Sequence, residues 1–400
     1  MENFYIGRQP IYDRRLEVFA YELLFRCPGA PLPGGDAMTA QIILNSVLDM
    51  GLESVAGDRT VFINLTTGFL DGSYPLPFAP QQIALEILED VEPTPAVLGN
   101  LRELVRRGYT LALDDFRFRP GIEALLPFVK LVKLDVLALG EHELRDHIER
   151  LRPFGVKLVA EKLESYDEFE LCRELGFDYF QGYFLAKPHV MEARRAGTNR
   201  LVVLQLLARL QDPSAEFSDL ETIIVRDVAL AYRLLRYTNS AAFALRREVA
   251  SVREALLLLG THTIRNWASL ILLSRVNDKP RDLLTTALIR ARMCEQLARL
   301  TGQRDPQHYF TAGLLSVLDA LMDQPMERLV NALPLIHDIK RALVERRGPI
   351  GDALSRVLHY ERADWDKLDG GGLEPSAYTR SFIEAVRWVA DTAPALHAPA

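Results

Sequence analysis

The chain has 400 residues, of which 48% are hydrophobic and 25% are charged, and its formal net charge at pH 7 is −7. A chain of this length buries enough apolar surface for two or three domains without structural disulfides or metals. The acidic balance disfavours nucleic-acid binding, which requires a basic face. We therefore expect an ordinary globular protein with no nucleic-acid partner.

Cysteine spacing and apolar segments bear on the compartment. Cys27, Cys172 and Cys294 are far apart and show no paired spacing, which is typical of a reducing compartment and predicts neither disulfides nor a zinc site. The first residues lack a signal-peptide apolar core. The longest apolar runs, such as 201–210 and 268–274, are too short to span a membrane. A cytoplasmic protein without a membrane partner is expected.

Up to about residue 188, short apolar runs alternate with segments of helical periodicity. The runs are VFAYELLF, TVFINLT, QIALEIL, YTLALDDF, KLVKLDVL, VKLVAEKL and FDYFQGYF. Alternating strands and helices predict a parallel sheet, and the near-continuous apolar runs indicate strands buried on both faces. Seven or eight such units within 1–188 favour a TIM-like (β/α) barrel, although an open sheet leaves the same pattern.

The second half of the chain has a different pattern. The polar segment 189–199 is predicted to be a linker, and residues 200–391 an all-α helical domain. LVVLQLLARL is predicted to be a buried helix, and Ser218 to Glu221 fit a capping box. Gly260 and Gly313 lie within apolar helical segments for no reason visible in the sequence. The Pro/Ala-rich tail 392–400 is predicted to be disordered.

Every predicted strand carries an ionisable or amide residue in its C-terminal half. These residues are Glu22, Asn64, Glu86, Asp114 with Asp115, Lys133, Glu161 and Gln181. Because the C-terminal ends of parallel barrel strands meet at one mouth, the carboxylates are expected to lie together there. Their mutual repulsion raises pKa values unless cations neutralise them. Mg²⁺ or Mn²⁺ suits oxygen ligands, and a two-metal site of this kind suits phosphodiester hydrolysis.

Each of these residues also has an ordinary structural explanation. A carboxylate at a strand end is commonly a turn or cap residue, Asp114 and Asp115 could cap a helix, and Lys133 could extend along a barrel rim. The full set favours a functional site, because structural needs alone do not place such a group on every successive strand.

At these positions the chain resembles the EAL domain of bacterial cyclic-di-GMP phosphodiesterases, over nearly all of residues 1–188. The motifs follow the family's order. They are ELLFR at 22–26, with Leu23 where the family usually has Ala, FINL at 62–65, LEILE at 85–89, DDF at 114–116, KLD at 133–135, AEKLE at 160–164 in place of AEGVE, and QGY at 181–183.

The resemblance implies the chemistry and a role for each residue. Six residues would ligate two metal ions: Glu22, Asn64, Glu86, Asp114, Asp115 and Glu161. Lys133 would hold and activate the attacking water, and Glu161 could instead be the general base. Arg26 would contact a phosphate through its forked donors, with Gln181 and Glu164 as supporting groups. The implied reaction is hydrolysis of cyclic-di-GMP to pGpG, and a homodimer follows only by analogy.

One loop departs from the family pattern. Where the family has DDFGTGYSS, this chain has DDFRFRPG at 114–121, so that Arg117 replaces the first glycine and Pro120 stiffens the loop. The loop supports metal binding and dimer formation in the family, so binding without turnover is an alternative. Arg117 and Arg119 could hold phosphate or be solvated.

The helical half resembles the HDOD domain, a relative of HD-type phosphohydrolases. The resemblance lies in LLRYTNSAAFA at 234–244, SVREALLLLG at 251–260 and FTAGLLSVLDALMD at 310–323. Catalytic HD relatives have a His-Asp pair where this chain has Ser316 and Val317. The resemblance therefore implies a non-catalytic domain that regulates or binds an unknown signalling protein.

Other candidate ligands in the helical half are interpreted as structural. His337 and Asp338 are predicted to lie on a helix surface, since no spaced set of further ligands accompanies them. Arg290 and Cys294 share a helix face and are predicted to be packing or surface groups.

Three functions are consistent with these patterns. The chain could be an active phosphodiesterase, a sensor that binds cyclic-di-GMP without hydrolysis, or an interaction scaffold with a degenerate barrel. Crowded carboxylates cost stability, so a scaffold has no physical reason to retain them. The sequence favours hydrolysis, and the altered loop leaves the sensor open.

Overall fold

The computed structural model describes residues 5–26, 56–65, 67–72, 76, 79–186, 198–226, 230–231, 234–235, 238, 249–273, 282–368 and 372–397. The chain divides into two compact units, Met1–Phe184 and Leu185–Ala400. The predicted domain boundary at 188 and most of the predicted linker 189–199 lie outside the described residues and stay predictions.

The first unit is a closed eight-stranded barrel, which confirms the predicted TIM-like fold. The strands are β1 Tyr5–Asp13, β2 Val18–Arg26, β3 Thr60–Leu65, β4 Ile83–Ile87, β5 Thr110–Leu113, β6 Leu131–Asp135, β7 Lys157–Leu163 and β8 Tyr179–Gly182. Neighbours from β2 to β8 are parallel, whereas β1 is antiparallel to both β2 and β8. Strand β1 was not predicted, because the polar residues RQP at 8–10 interrupt its apolar pattern.

The barrel interior is closed by a layer of apolar side chains. The layer consists of Ile11, Ala20, Phe62, Ala84, Ala112, Leu131 and Val159. Small alanines on three strands leave room for the ring of Phe62, which is completely buried. The interior is therefore a packed core, and polar groups further along the strands lie above a dry floor.

Four described helices follow barrel strands: α1 Thr67–Leu70, α2 Pro95–Arg106, α3 Val136–Leu151 and α4 Tyr166–Leu175. Side-chain caps fix where three of them begin. The Thr94 hydroxyl accepts from the Val97 N–H, and the Asp135 carboxylate accepts from the Ala138 N–H. Ser165 begins α4 with a complete capping box. Asp135 thus ends β6 and begins α3 at the same residue.

The second unit is all-α, as predicted. Its described helices are α5 Thr198–Leu210, α6 Phe217–Arg226, α7 Val252–Leu273, α8 Asp282–Leu300, α9 Pro306–Leu315, α10 Leu318–Met322, α11 Met326–Ala332, α12 His337–Glu345, α13 Gly348–Glu361 and α14 Pro375–His397. Helix α8 packs against α9, α13 and α14 at the centre.

The two helical glycines have structural reasons that the sequence did not reveal. A Cβ on Gly313 would lie 2.5 Å from the Cα of Ala291, so the absence of a side chain lets α9 approach α8 closely. Gly260 has φ 79° and ψ 159° and divides α7 into two helical segments.

Three predicted features of this half differ in the structure. Ser218 to Glu221 lie inside α6, and the Asp219 carboxylate instead accepts from the Glu216 N–H before it. Among residues 203–210 of helix α5, whose burial the structure describes, Val203, Leu207 and Leu210 are the buried ones. Helix α14 continues through the predicted tail to His397, since an alanine-rich segment favours helix, while 398–400 lie outside the described residues.

Within the described residues, one helix is long and apolar enough to cross a membrane by length and composition. This helix is α7, and 56% of its most apolar window is buried inside the fold. Its interruption at Gly260 and this burial are typical of a core helix.

Candidate functional site

A polar layer lies directly above the apolar floor of the barrel, because side chains two positions apart on a strand share one face. The floor and polar residues pair along the chain as Ala20 and Glu22, Phe62 and Asn64, Ala84 and Glu86, Ala112 and Asp114, Leu131 and Lys133, and Val159 and Glu161. Strand period and barrel topology together therefore bring the predicted residues to one mouth.

Lys133 is the centre of this polar layer and is completely buried. Its Nζ lies 3.0 Å from Glu22 Oε2, 2.7 Å from Glu86 Oε1, 2.9 Å from Asp114 Oδ1 and 2.7 Å from Glu161 Oε1. We call Lys133 and these four carboxylates the carboxylate cluster. An ammonium has three N–H donors, so Lys133 cannot donate to all four carboxylates at once.

Crowding and burial change the protonation of the cluster. Burial, followed by repulsion from Glu22, raises the pKa of Glu86 well above its ordinary value. Burial, with repulsion from Asp114 and Glu22, raises the pKa of Glu161 to about 8, although Lys133 opposes the shift. Burial acts to lower the pKa of Lys133, but the four carboxylates together raise it well above its ordinary value. The cluster thus contains one lysine that stays positively charged and four acidic groups, which one positive charge cannot neutralise.

Several buried oxygen atoms of the site accept no hydrogen bond. They are Asn64 Oδ1, Glu86 Oε2, Glu161 Oε2 and Gln181 Oε1, whereas Glu86 Oε1 and Asp114 Oδ1 lie 2.7 and 2.9 Å from Lys133 Nζ. Unsatisfied buried acceptors are costly and usually indicate a missing partner. Carboxylate atoms of Glu22, Glu86 and Asp114 lie within 4.8 Å of one another, close enough to share one metal ion. The donor set consists of oxygens and fits a hard divalent cation.

A β-bulge in β7 lies directly beside Glu161. Ala160 pairs with Phe180 and Leu163 pairs with Gly182, so β7 advances three residues where β8 advances two. The extra residue bends the strand, as bulges beside active sites commonly do. A Cβ on Gly182 would collide with the backbone of Leu163, so this close approach requires glycine.

Asp115, predicted as a ligand, contacts a different cation. Its carboxylate accepts from Lys162 Nζ at 3.0 Å, and the same ammonium donates to Asp135 Oδ2 at 2.6 Å. We call Asp115, Asp135 and Lys162 the Lys162 triad. Lys162 was missed by the sequence analysis as a site residue, because the bulge that directs it is not visible in the sequence.

The other predicted substrate-binding residues are placed as follows. Gln181 Nε2 donates to Glu22 Oε2 at 2.7 Å and to Gln9 Oε1 at 3.1 Å, so Gln181 joins the cluster. Gln9 was missed because β1 was missed. Glu164 is exposed just after β7, and its N–H donates to Glu168. The side chain of Arg26 lies outside the described residues, and its role stays a prediction.

The altered loop at 114–121 is attached to the loop after β4 and to the first turn of α3. Arg119 donates to Glu92 Oε1 at 3.0 Å and to the carbonyls of Glu89 and Val91 at 3.0 and 2.7 Å. Arg117 donates to the Ala138 carbonyl at 3.2 Å. Both guanidinium groups therefore anchor the loop, in place of the flexibility that glycines would supply.

In the helical unit, an arginine contacts Ser316, one of the two residues that stand where catalytic HD relatives have a His-Asp pair. Arg290 is buried and forms two 2.7 Å hydrogen bonds to the carboxylate of Glu361, and it donates to Ser316 Oγ at 3.2 Å. Val317 beside it is completely buried. Within the described residues of this unit, no cluster of His, Cys, Asp or Glu could hold a metal ion.

The remaining candidates of the helical unit are structural in this fold. Cys294 lies on α8 and is buried, and burial raises the pKa of its thiol to about 12. Arg290 and Cys294 are thus packing groups rather than surface groups. His337 and Asp338 are exposed at the start of α12, as predicted.

Comparisons with known domains and proteins together cover nearly all of the chain. The EAL domain model matches residues 73–188, and the HDOD domain model matches residues 198–329. The Bacillus subtilis YkuI protein, which has an EAL domain and was solved in complex with cyclic-di-GMP and calcium, aligns at 18% identity with a TM-score of 0.40, covering 64% of this chain and 72% of that one.

Two relatives align with nearly the whole chain. The chain is 34% identical to the cyclic di-GMP phosphodiesterase CdgJ of Vibrio cholerae, over 98% of this chain and 93% of CdgJ. It is 30% identical to the uncharacterized protein YuxH of Bacillus subtilis, over 96% of this chain and 97% of YuxH. With an EAL match followed by an HDOD match, the chain belongs to the family of two-domain EAL–HDOD signalling proteins.

Proposed function

We propose that the barrel binds cyclic-di-GMP and hydrolyses it to the linear dinucleotide pGpG, in a reaction that requires Mg²⁺ or Mn²⁺. The observation that carries this proposal is the carboxylate cluster at the mouth of the barrel, where four carboxylates share one buried ammonium and Glu86 Oε2 and Glu161 Oε2 accept no hydrogen bond. The similarity to CdgJ over nearly the whole chain supports the choice of substrate.

The proposed metal ligands are Glu22, Glu86, Asp114 and Asn64, with Glu161 beside them. A bound divalent ion lowers the pKa of its water and stabilises charge on phosphate oxygens. The chain supplies the acceptors in a position fixed by strand register, because Asn64 lies opposite Glu86 on adjacent strands. Rigid strands hold these groups more closely than loops do.

Lys133 and Glu161 are proposed to manage the attacking water. The buried ammonium of Lys133 donates hydrogen bonds and keeps a positive charge among the acidic groups. Glu161 is held 2.7 Å from that ammonium and is a candidate general base or metal ligand. Gln181 holds Glu22 in place through its 2.7 Å hydrogen bond. Arg26 and Glu164 are proposed to contact the substrate.

The helical half is proposed to be a non-catalytic HDOD domain that regulates the barrel or binds an unidentified signalling protein. Ser316 and Val317, which stand where catalytic HD relatives have a His-Asp pair, and the buried Arg290–Glu361 pair support this role. A cytoplasmic location and a homodimer, like the identity of the partner, stay predictions.

A sensor that binds cyclic-di-GMP without hydrolysis is the second candidate. The observation that favours it is the anchored loop, in which Arg119 is held by three acceptors next to Asp114 and Asp115. A loop fixed in this way can retain ligands while it prevents the movement that assembles them around a substrate.

The deciding experiment follows binding and product in the same samples. The full chain is mixed with cyclic-di-GMP and Mg²⁺ or Mn²⁺, and pGpG is measured by chromatography while binding is measured by calorimetry. Metal-dependent pGpG that is lost in Glu86→Gln supports the phosphodiesterase. Tight binding without pGpG supports the sensor, and the absence of both contradicts a cyclic-di-GMP function.

A further inference from the structure

The Lys162 triad places a second ammonium at the barrel mouth, beside the carboxylate cluster. Lys162 Nζ lies 3.0 and 3.3 Å from the two oxygens of Asp115 and 2.6 Å from Asp135 Oδ2. Asp115 directly follows Asp114, a member of the cluster, and Lys162 directly follows Glu161. In the pairs Asp114–Asp115 and Glu161–Lys162, the first residue belongs to the carboxylate cluster and the second to the triad. The two groups therefore form neighbouring cation positions.

The backbone at both partners indicates that this contact is specific. Lys162 has φ 58° and Asp115 has φ 41°, in the left-handed region that disfavours residues with a Cβ. A lysine at the left-handed position of a bulge is unfavourable where glycine would be relaxed. The side-chain contacts of Lys162 to Asp115 and Asp135 offset this conformational cost.

The triad also satisfies the acceptors that a metal ion would need there. Asp135 receives hydrogen bonds from Lys162 and from the Ala138 N–H, while both oxygens of Asp115 face the ammonium. In contrast, Glu86 Oε2 and Glu161 Oε2 in the carboxylate cluster, and Asn64 Oδ1 beside it, accept no hydrogen bond. Unmet acceptors are therefore concentrated at one of the two positions.

We propose that the Lys162 ammonium takes the place of a second metal ion, so that the barrel binds one divalent cation, at Glu22, Glu86 and Asp114. The inference rests on the proposed metal dependence and departs from the two-metal site expected from the sequence. Asp115 then pairs with a resident lysine rather than ligating metal, and its part in any reaction is to position the loop after β5.

The test counts metal ions. Full-length protein is stripped by a chelator, dialysed against Mn²⁺, and analysed for bound manganese and for its electron paramagnetic resonance spectrum. The wild-type protein is expected to bind one Mn²⁺ per chain, with the spectrum of an isolated ion. Lys162→Met, which removes the ammonium, is expected to bind two and to show exchange coupling between them.

Lys157→Met is the matched control, because Lys157 lies on the same strand with a similarly exposed side chain, 57% against 51% for Lys162. This control is expected to keep one ion. Lys162→Gly repeats the test with a relaxed backbone in case the methionine variant folds poorly. Asp115→Asn should leave the affinity for the single ion unchanged, whereas Asp114→Asn should weaken it about tenfold or more.

Two Mn²⁺ ions in the wild-type protein, or one ion in both Lys162 variants, overturns the inference. Measuring pGpG in the same samples separates this result from the proposed function. Two ions with turnover would contradict the inference alone, one ion without turnover would contradict hydrolysis alone, and no bound ion would contradict both.

Discussion

At the scale of single residues, the site is organised by two lysines and not only by its acids. Lys133 is buried among four carboxylates, and Lys162 joins Asp115 to Asp135 at the rim. The positions of the acids could be predicted from the sequence, because each lies two residues beyond a floor residue. The partner of Asp115 could not be predicted, because it depends on a bulge that changes the direction of one side chain.

Replacing Lys133 by Met should destabilise the metal-free protein by about 3–5 kcal/mol, because it leaves buried carboxylates without their counter-ion. Saturating Mn²⁺ should restore part of that loss, since a divalent ion supplies the missing charge. Urea unfolding with and without Mn²⁺ measures both effects. Lys157→Met, at an exposed site, should change stability by less than about 1 kcal/mol. Equal effects of the two variants would contradict the central role of Lys133.

Glu22→Ala and Asp114→Ala should each abolish metal-dependent pGpG formation and leave the fold intact. Each change removes a ligand and relieves repulsion within the carboxylate cluster, so thermal stability without metal should be maintained or increased. Product assays and circular dichroism on the same preparations measure the two effects. Turnover at the wild-type rate in both variants would contradict the metal assignment.

At the scale of elements, the positions of most strands were predictable and local irregularities within them were not. The apolar runs identified β2 to β8, because strands buried on both faces have an unambiguous composition. β1 was missed because its polar centre faces the barrel mouth, where Gln9 accepts a hydrogen bond from Gln181. The polar residues that make β1 part of the site therefore also interrupt the apolar pattern by which a strand is recognised in the sequence.

Gly313→Ala should destabilise the helical unit by about 1–3 kcal/mol or more, because an added Cβ would lie 2.5 Å from Ala291 Cα and separate α8 from α9. Gly99→Ala is the contrasting change, since Gly99 lies in α2 with nothing within 4 Å of an added Cβ. That substitution should stabilise its helix by about 1 kcal/mol. Thermal unfolding of both variants tests the comparison, and a neutral Gly313→Ala would contradict close helix packing.

At the scale of the whole molecule, the two units differ in their need for metal. The barrel has unsatisfied buried oxygens at its mouth, whereas Arg290 and Glu361 satisfy each other within the helical unit. The order of the domains and the lack of an HD pair were readable from motifs. The role of Arg290 was not, because its partner Glu361 is distant in sequence.

Adding Mn²⁺ should protect the barrel and leave the helical unit unchanged. A ligand that binds only the folded barrel at 100 times its Kd stabilises that barrel by about 2.7 kcal/mol. Hydrogen exchange followed by mass spectrometry should therefore slow in β2 to β7 and stay constant in α8 and α9. Protection of α8 by Mn²⁺ would reveal either a metal site or coupling between the units.

The Arg290–Glu361 pair bears on the state of this protein in a cell that is short of manganese or magnesium. A domain that carries its own counter-ion keeps its shape when the supply of metals fails, so its surface stays recognisable to whatever binds it. Under the proposed function, scarcity of metal would stop hydrolysis in the barrel and leave the partner-binding surface of the helical unit folded. The protein would then bind the proposed partner without consuming cyclic-di-GMP.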